Sequence, residues 1–179
     1  MEEILLHICC GVCASSVVQT LRKDGYKPLG FFYNPNIHPE QEYQQRLRAA
    51  GKVAQILDFE LIEGVYDQDD WFKLIQGLEN EPEGAKRCSA CFRMRLAQTQ
   101  AKAAQMNIAK FTTTLTVSPH KNTAAINDIG KTINPSGFLA CDFKKQDGFQ
   151  LAIKFAKRYN LYRQNYCGCI YSKSTKQKC

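Results

Sequence analysis

The chain lacks an apolar run long enough to cross a membrane. Its first hydrophobic segment, Ile4 to Ile8, is too short for a signal peptide or a transmembrane helix, and Met1-Glu2-Glu3 places acid where a signal peptide is basic. No membrane association is expected. Internal repeats, low-complexity tracts and linkers able to divide domains are also missing, so a single domain over 1–179 is the expectation. No coiled-coil pattern announces an assembly. Acid is in short supply, because 17 Asp and Glu face 24 Lys and Arg, for a formal net charge of +7. Such an excess draws polyanions to a surface, which makes RNA a candidate partner. A solvated basic surface without a partner is the plain alternative, and the lysines of the tail (Lys173, Lys176, Lys178) fit either reading. With 44% hydrophobic and 23% charged residues, the composition is that of a globular protein able to bury its own core. A chain of this length does not depend on disulfide staples, so its thiols are expected to be reduced and its compartment cytoplasmic.

What the chain does have is cysteine, nine residues in clusters: Cys9, Cys10 and Cys13, then Cys88 and Cys91, then Cys141, then Cys167 and Cys169, then Cys179. Soft thiolates select zinc, copper(I) or iron and sulfur, so thiols converging from distant segments point to a metal or redox site. Cys9 and Cys10 are neighbours and share one centre only where the backbone turns, which Gly11 allows. Cys13 falls near a helix start, where free amides and the dipole favour thiolate. Cys88-Ser89-Ala90-Cys91 opens a helix, where residues three apart share a face, and Arg87, Arg93 and Arg95 add positive potential. The same spacing suits structural zinc or a thiol redox pair. Cys167-Gly168-Cys169 suits a strained, reducible disulfide or two further metal ligands. Cys141 and Cys179 read as background. His38, in Asn34 to Pro39, and His120, in Ser118 to Asn122, are candidate acids or ligands, although histidines more often serve as structural hydrogen-bonders. Asp142 is a candidate proton donor or metal ligand, with a turn aspartate as the alternative.

Hydrophobic patterning places strands at Ile4 to Ile8, Pro28 to Tyr33, Phe59 to Ile62 and Phe111 to Leu115. Helices are expected at Ser15 to Leu21, Pro39 to Leu57, Trp71 to Leu78, Cys88 to Gln105, Thr123 to Lys131 and Phe149 to Tyr159. Strands alternating with helices predict an α/β fold, a parallel sheet flanked by helices, with a helical cysteine-bearing middle segment. Sites in such sheets form beyond the carboxyl ends of the strands, where Cys9 to Cys13, Asn34 to Pro39 and Val117 to Asn122 all fall.

The segments LLHICCGVCASS (5–16), FFYNPNIHP (31–39), EPEGAKRCSACFRMRL (81–96), TTTLTVSPHKN (112–122), DFKKQDGF (142–149) and LYRQNYCGCIYS (161–172) together resemble the QueH family of epoxyqueuosine reductases. The resemblance spans nearly the whole chain. It implies a nucleotide-hydrolase-like sheet related to ATP-using tRNA thiolation enzymes, and a cobalamin-independent oxidoreductase acting at the last step of queuosine formation, on the wobble nucleotide of tRNA. It further implies that Cys9, Cys10, Cys88 and Cys91 hold a [4Fe-4S] cluster and that Cys167 and Cys169 form a redox-active disulfide. A second metal ion beside the cluster, an iron, is implied as well, with Cys13 or Asp142 as ligand. Asp142 or Tyr166 would protonate the departing oxygen, and an external electron donor is required. Where the thiolation enzymes carry a phosphate loop this chain has CCGVCASS, so no ATP use is expected. An iron-sulfur tRNA thiolation enzyme and a zinc-stabilised RNA-binding module are the rival functions.

Overall fold

A computed structural model describes residues 1–145 and 147–173. Its first strand, β1 (Glu2–His7), is buried from Ile4 onward, with Ile4, Leu5, Leu6 and His7 at 0% exposure. Successive strand side chains point to opposite faces, so an unbroken buried run means that both faces of β1 are covered. The chain continues through α1 (Gly11–Lys23), β2 (Tyr26–Phe32), α2 (Glu40–Leu57) and β3 (Leu61–Glu63). Two helices, α3 (Gln68–Leu74) and α4 (Lys86–Gln105), lead to β4 (Lys110–Thr113), followed by α5 (Thr123–Ile133), α6 (Gly148–Arg158) and the short α7 (Ile170–Lys173). The strands lie in the order β3-β2-β1-β4, and every pair is parallel. The α/β architecture with a parallel sheet flanked by helices is thus as expected.

This order makes β1 central. The chain moves outward from β1 to β2 and β3, then returns to place β4 on the other side of β1. The crevice beyond the carboxyl ends of β1 and β4 is therefore the topological switch point, where open α/β sheets bind their ligands. His7 pins that end of the sheet. It pairs in register with Phe31 of β2 and Thr113 of β4, while its Nδ1 lies 2.9 Å from Thr113 Oγ1 and its Nε2 3.1 Å from the Tyr33 carbonyl. Only a neutral ring with hydrogen on Nε2 satisfies the carbonyl and leaves Nδ1 to accept from the threonine. Burial, aided by the charge of Arg95, lowers its pKa to about 4 and keeps it in that neutral form.

Several boundaries differ from the expected ones for local reasons. The strand Phe111 to Leu115 ends early, because the Thr113 side chain accepts the Leu115 amide and turns the chain into a 3-10 segment over Thr114–Val117. The helix expected at Thr123 to Lys131 starts as expected, capped by Asn122, whose Oδ1 accepts from the Ala125 amide at 3.1 Å, but runs on to Ile133. The first helix starts at Gly11 rather than Ser15, so both Gly11 and Cys13 are helical. The role expected for Gly11 changes with it. A Cβ there would lie 2.5 Å from the Ala49 carbonyl oxygen, so glycine serves the close approach of α1 to α2. Among the described residues, no helix is long and apolar enough to cross a membrane.

Candidate metal and redox centre

Beyond β1 the backbone is fixed by its neighbours. The Ile8 carbonyl accepts from Asn34 Nδ2 at 2.9 Å, the Cys9 amide donates to Thr114 Oγ1 at 3.2 Å, and the same hydroxyl donates to Cys9 Sγ at 3.4 Å. Cys10 follows in an extended conformation as the residue preceding α1, and Cys13 sits in the first helical turn. The sulfurs of Cys9, Cys10 and Cys13 all lie within 4.8 Å of one another, and all three residues are buried. A tetrahedral ion with bonds of about 2.3 Å holds its sulfurs about 3.8 Å apart, so the trio is compact enough to share one ion. Cys9 is held well below the ordinary thiol range by hydrogen bonds from Cys10 and then Cys13, with help from the charges of Lys121 and Arg95 against burial. The reciprocal hydrogen bonds and burial push Cys13 well above that range. One thiolate therefore forms readily, and a cation is needed to draw off the other protons.

The second cysteine pair opens α4. Cys88 accepts from the Gly84 amide at 3.1 Å, and Cys91 lies one turn on along the same helix. Burial raises both thiols, Cys91 to about 11. Arg95, a further turn along α4 and itself buried, donates to Asn34 Oδ1 at 3.2 Å. Its charge reaches both Cys9 and Cys91, as does that of Lys121. The same two cations therefore serve the sheet-end cysteines and the helix cysteines.

Two adjoining cavities join these groups to the third pair. A cavity of about 60 Å³ is lined by Cys88, Cys91, Cys167 and Cys169, with Asn36 and Trp71. A cleft of about 240 Å³ is lined by Cys9, Cys13 and Cys167, with the polar side chains of Arg46, Lys121 and Arg163 and the apolar ones of Phe149 and Ile153. Glu83, Arg95, His120, Lys121 and Cys167 border both, so Cys167 stands between the two. Its sulfur is a thiol hydrogen-bonded to Cys169, with Ser172 Oγ at 2.9 Å, and these contacts draw its pKa down to about 5 while that of Cys169 rises. Asn36 Oδ1 and Trp71 Nε1 are buried without a protein hydrogen-bond partner, as is Arg95 Nε, a pattern that suits a site completed by a bound group.

The structure thus brings seven of the expected residues to one crevice: Cys9, Cys10, Cys13, Cys88, Cys91, Cys167 and Cys169. His120 joins them at both rims. Asp142 is elsewhere engaged: its Oδ1 accepts from the Lys144 amide at 3.2 Å, closing its own turn, and it lines neither cavity. His38 is buried beside Phe72, with Nδ1 held 2.8 Å from Gln68 Nε2. Cys141 is half-buried against the core, and Cys179 lies outside the described residues. Arg46, Trp71 and Thr114 were not anticipated. Glu42 and Arg46 read as an ordinary helix-surface pair at i and i+4, and no local pattern marks them as buried.

The sequence profile of the family described as Epoxyqueuosine reductase QueH matches residues 4–175. Proteins of that name are similar to this chain over most of its length. That of Streptococcus pyogenes serotype M1 is 35% identical, over 95% of this chain and 70% of its own. The Acinetobacter baylyi protein is 36% identical, over 96% and 80%, and the Thermotoga maritima protein 34% identical, over 96% and 91%. A crystal structure of a predicted subunit of tRNA methyltransferase from Methanocaldococcus jannaschii superimposes with a TM-score of 0.52, over 86% of this chain and 75% of that one. At 14% identity it supports the fold alone.

Proposed function

The chain belongs to the QueH family of epoxyqueuosine reductases, and from that premise we propose that it removes the epoxide oxygen of epoxyqueuosine at the wobble position of tRNA, the last step of queuosine formation. The reaction is a two-electron, two-proton reduction that turns the epoxide into an alkene and water. The observation that carries the reading is the meeting of cysteines from three remote segments at the switch point of the sheet, in a crevice that Arg95 and Lys121 make cationic.

In this reading Cys9, Cys10, Cys88 and Cys91 hold a [4Fe-4S] cluster, and Cys13 holds a second ion, an iron, beside it. The donor set fits, being all thiol, buried except for the half-buried Cys88, and faced by cations able to offset the negative charge of thiolate ligation. When bound, these groups supply electrons singly and a Lewis acid. The net two electrons come from Cys167 and Cys169, which form a disulfide as they give them up; the two protons come from these thiols and solvent, and the oxygen leaves as water. An external reductant returns the disulfide to two thiols. Asp142 is given no step, since its carboxylate closes its own turn. Phe149 and Ile153 offer the cleft an apolar wall for the target nucleotide, while Lys121 and Arg163 meet its phosphates. ATP has no part, because Cys10 and Cys13 occupy the start of α1 and Gly11 is packed against α2. Residues 1–179 act as one cytoplasmic domain, where the thiols stay reduced.

Anaerobic purification followed by iron, sulfide and zinc analysis tests the centre, and turnover of tRNA carrying epoxyqueuosine tests the substrate. Iron and sulfide with formation of the alkene product are expected. A colourless protein with stoichiometric zinc and no turnover replaces the reading with that of a zinc-stabilised RNA-binding module, which the compactness of the Cys9, Cys10 and Cys13 trio favours. ATP-dependent sulfur insertion replaces it with a thiolation enzyme.

A further inference from the structure

We propose that Arg46 is a positioning residue that clamps the Cys167-Gly168-Cys169 segment and stabilises its dithiol form over its disulfide form. The inference rests on the reading of these cysteines as a redox pair. Arg46 belongs to α2 and is 2% exposed. Its Nε donates to Glu42 Oε1 at 2.7 Å, and the other oxygen of Glu42 accepts from the Tyr162 hydroxyl at 2.5 Å. Its Nη1 and Nη2 donate to the carbonyls of Cys167 and Tyr166, both at 3.0 Å. The next carbonyl, that of Gly168, accepts from the His38 amide at 2.8 Å. The Tyr166 hydroxyl donates to the His38 carbonyl, and the Arg46 guanidinium lies 5.3 Å from the centroid of the Tyr166 ring.

Three successive carbonyls are therefore anchored to α2 and the 34–39 loop, while the Cys167 side chain borders both cavities. Burying a guanidinium is costly and is offset only by good hydrogen bonds, and here Nε, Nη1 and Nη2 each donate one. Its partners are main-chain atoms of the redox segment, so what it fixes is the path of that segment. All of these bonds are made while Cys167 and Cys169 are thiols. Forming the disulfide brings the sulfurs from hydrogen-bonding contact to about 2.05 Å with one residue between the cysteines. A ring closed through a single intervening residue constrains the backbone between the two cysteines, and in this proposal that constraint turns the carbonyls of 166 and 167 away from the fork. Room for rotation is limited on that side. A Cβ on Gly168, which sits at φ +106°, would lie 2.9 Å from Ile37 Cγ1 and 3.1 Å from Arg46 Nη1. The clamp therefore opposes ring closure and favours return to the dithiol. That is the behaviour of a strained, readily reduced working disulfide.

The test is a redox titration of the intact protein in glutathione buffers, where two thiols and one glutathione disulfide exchange for one protein disulfide and two glutathiones. Alkylation and mass spectrometry of the peptide bearing Cys167 and Cys169 report the two forms. Because Arg46→Met alone would strand a buried carboxylate, it is paired with Glu42→Gln, and Arg46→Lys is measured beside it. In the double variant the equilibrium constant for disulfide formation should rise at least tenfold, a potential about 30 mV more negative, at unchanged iron content. Arg46→Lys, which keeps the charge but cannot fork, should fall between. An unchanged or less negative potential in the double variant overturns the clamp while leaving the redox pair standing. Absence of any reversible disulfide in the wild type instead overturns the pair itself, and the clamp with it.

Discussion

The two ends of the cysteine set are held in opposite ways. Cys9, Cys10 and Cys13 are embedded where β1 becomes α1, bounded by main-chain and hydroxyl contacts of the sheet, so they share the stability of the core. Cys167 and Cys169 lie outside the sheet, in a segment whose carbonyls at 166 and 167 are held by the Arg46 side chain across some 120 positions of sequence, and whose Gly168 carbonyl is held by the His38 amide. The difference suits the two tasks assigned to them. Ligands for a metal centre gain from being part of the least deformable region. A pair that opens and closes a covalent bond needs contacts that can be exchanged.

The sharpest break of that comparison comes from removing the ligands themselves. Cys9→Ala, or Cys88→Ala, should lose the visible absorbance, the bound iron and all turnover, whereas Cys167→Ala should keep colour and iron and lose multiple turnover; optical spectra and iron analysis beside a tRNA assay separate the two. Backbone comes next. Gly11→Ala drives a methyl into the Ala49 carbonyl and should destabilise the whole protein by about 1–3 kcal/mol, seen as a lower denaturation midpoint. Gly168→Ala meets a positive φ and two close neighbours, and should slow turnover at least tenfold while leaving the melting temperature nearly unchanged, because only the latched segment is disturbed. His7→Leu strands the Tyr33 carbonyl and the Thr113 hydroxyl in the core and should cost about 1–3 kcal/mol, a loss measurable by denaturation of the metal-free protein. The smallest effect is at the mouth of the cleft. Arg163→Ala should weaken tRNA binding severalfold and make the slope of log affinity against log salt shallower by about 1, with iron content unaffected.

Much of the embedded region was legible and little of the latched one. The helix expected at Pro39 to Leu57 occurs at Glu40–Leu57, because a long amphipathic pattern leaves few alternatives. The buried run of β1 and the spacing of Cys88 and Cys91 likewise declare themselves locally. The start of α1 was placed four residues late, because cysteines and glycine carry weak helix signals and packing against α2 decides the matter. Asp142 shows the limit of residue type as a guide: a carboxylate in a polar stretch serves a turn as readily as a site. Arg46 was illegible for a different reason, since its value depends on partners that no sequence window contains.

The chain's one tryptophan, Trp71, is fully buried and packs with Cys91 and Cys169, one cysteine from each of the two remote pairs. Indole emission is quenched by neighbouring thiolates, disulfides and iron. On the proposed reading, the intrinsic fluorescence of this protein should serve as an optical gauge beside the cysteines, following metal loading and thiol oxidation in real time without any attached label.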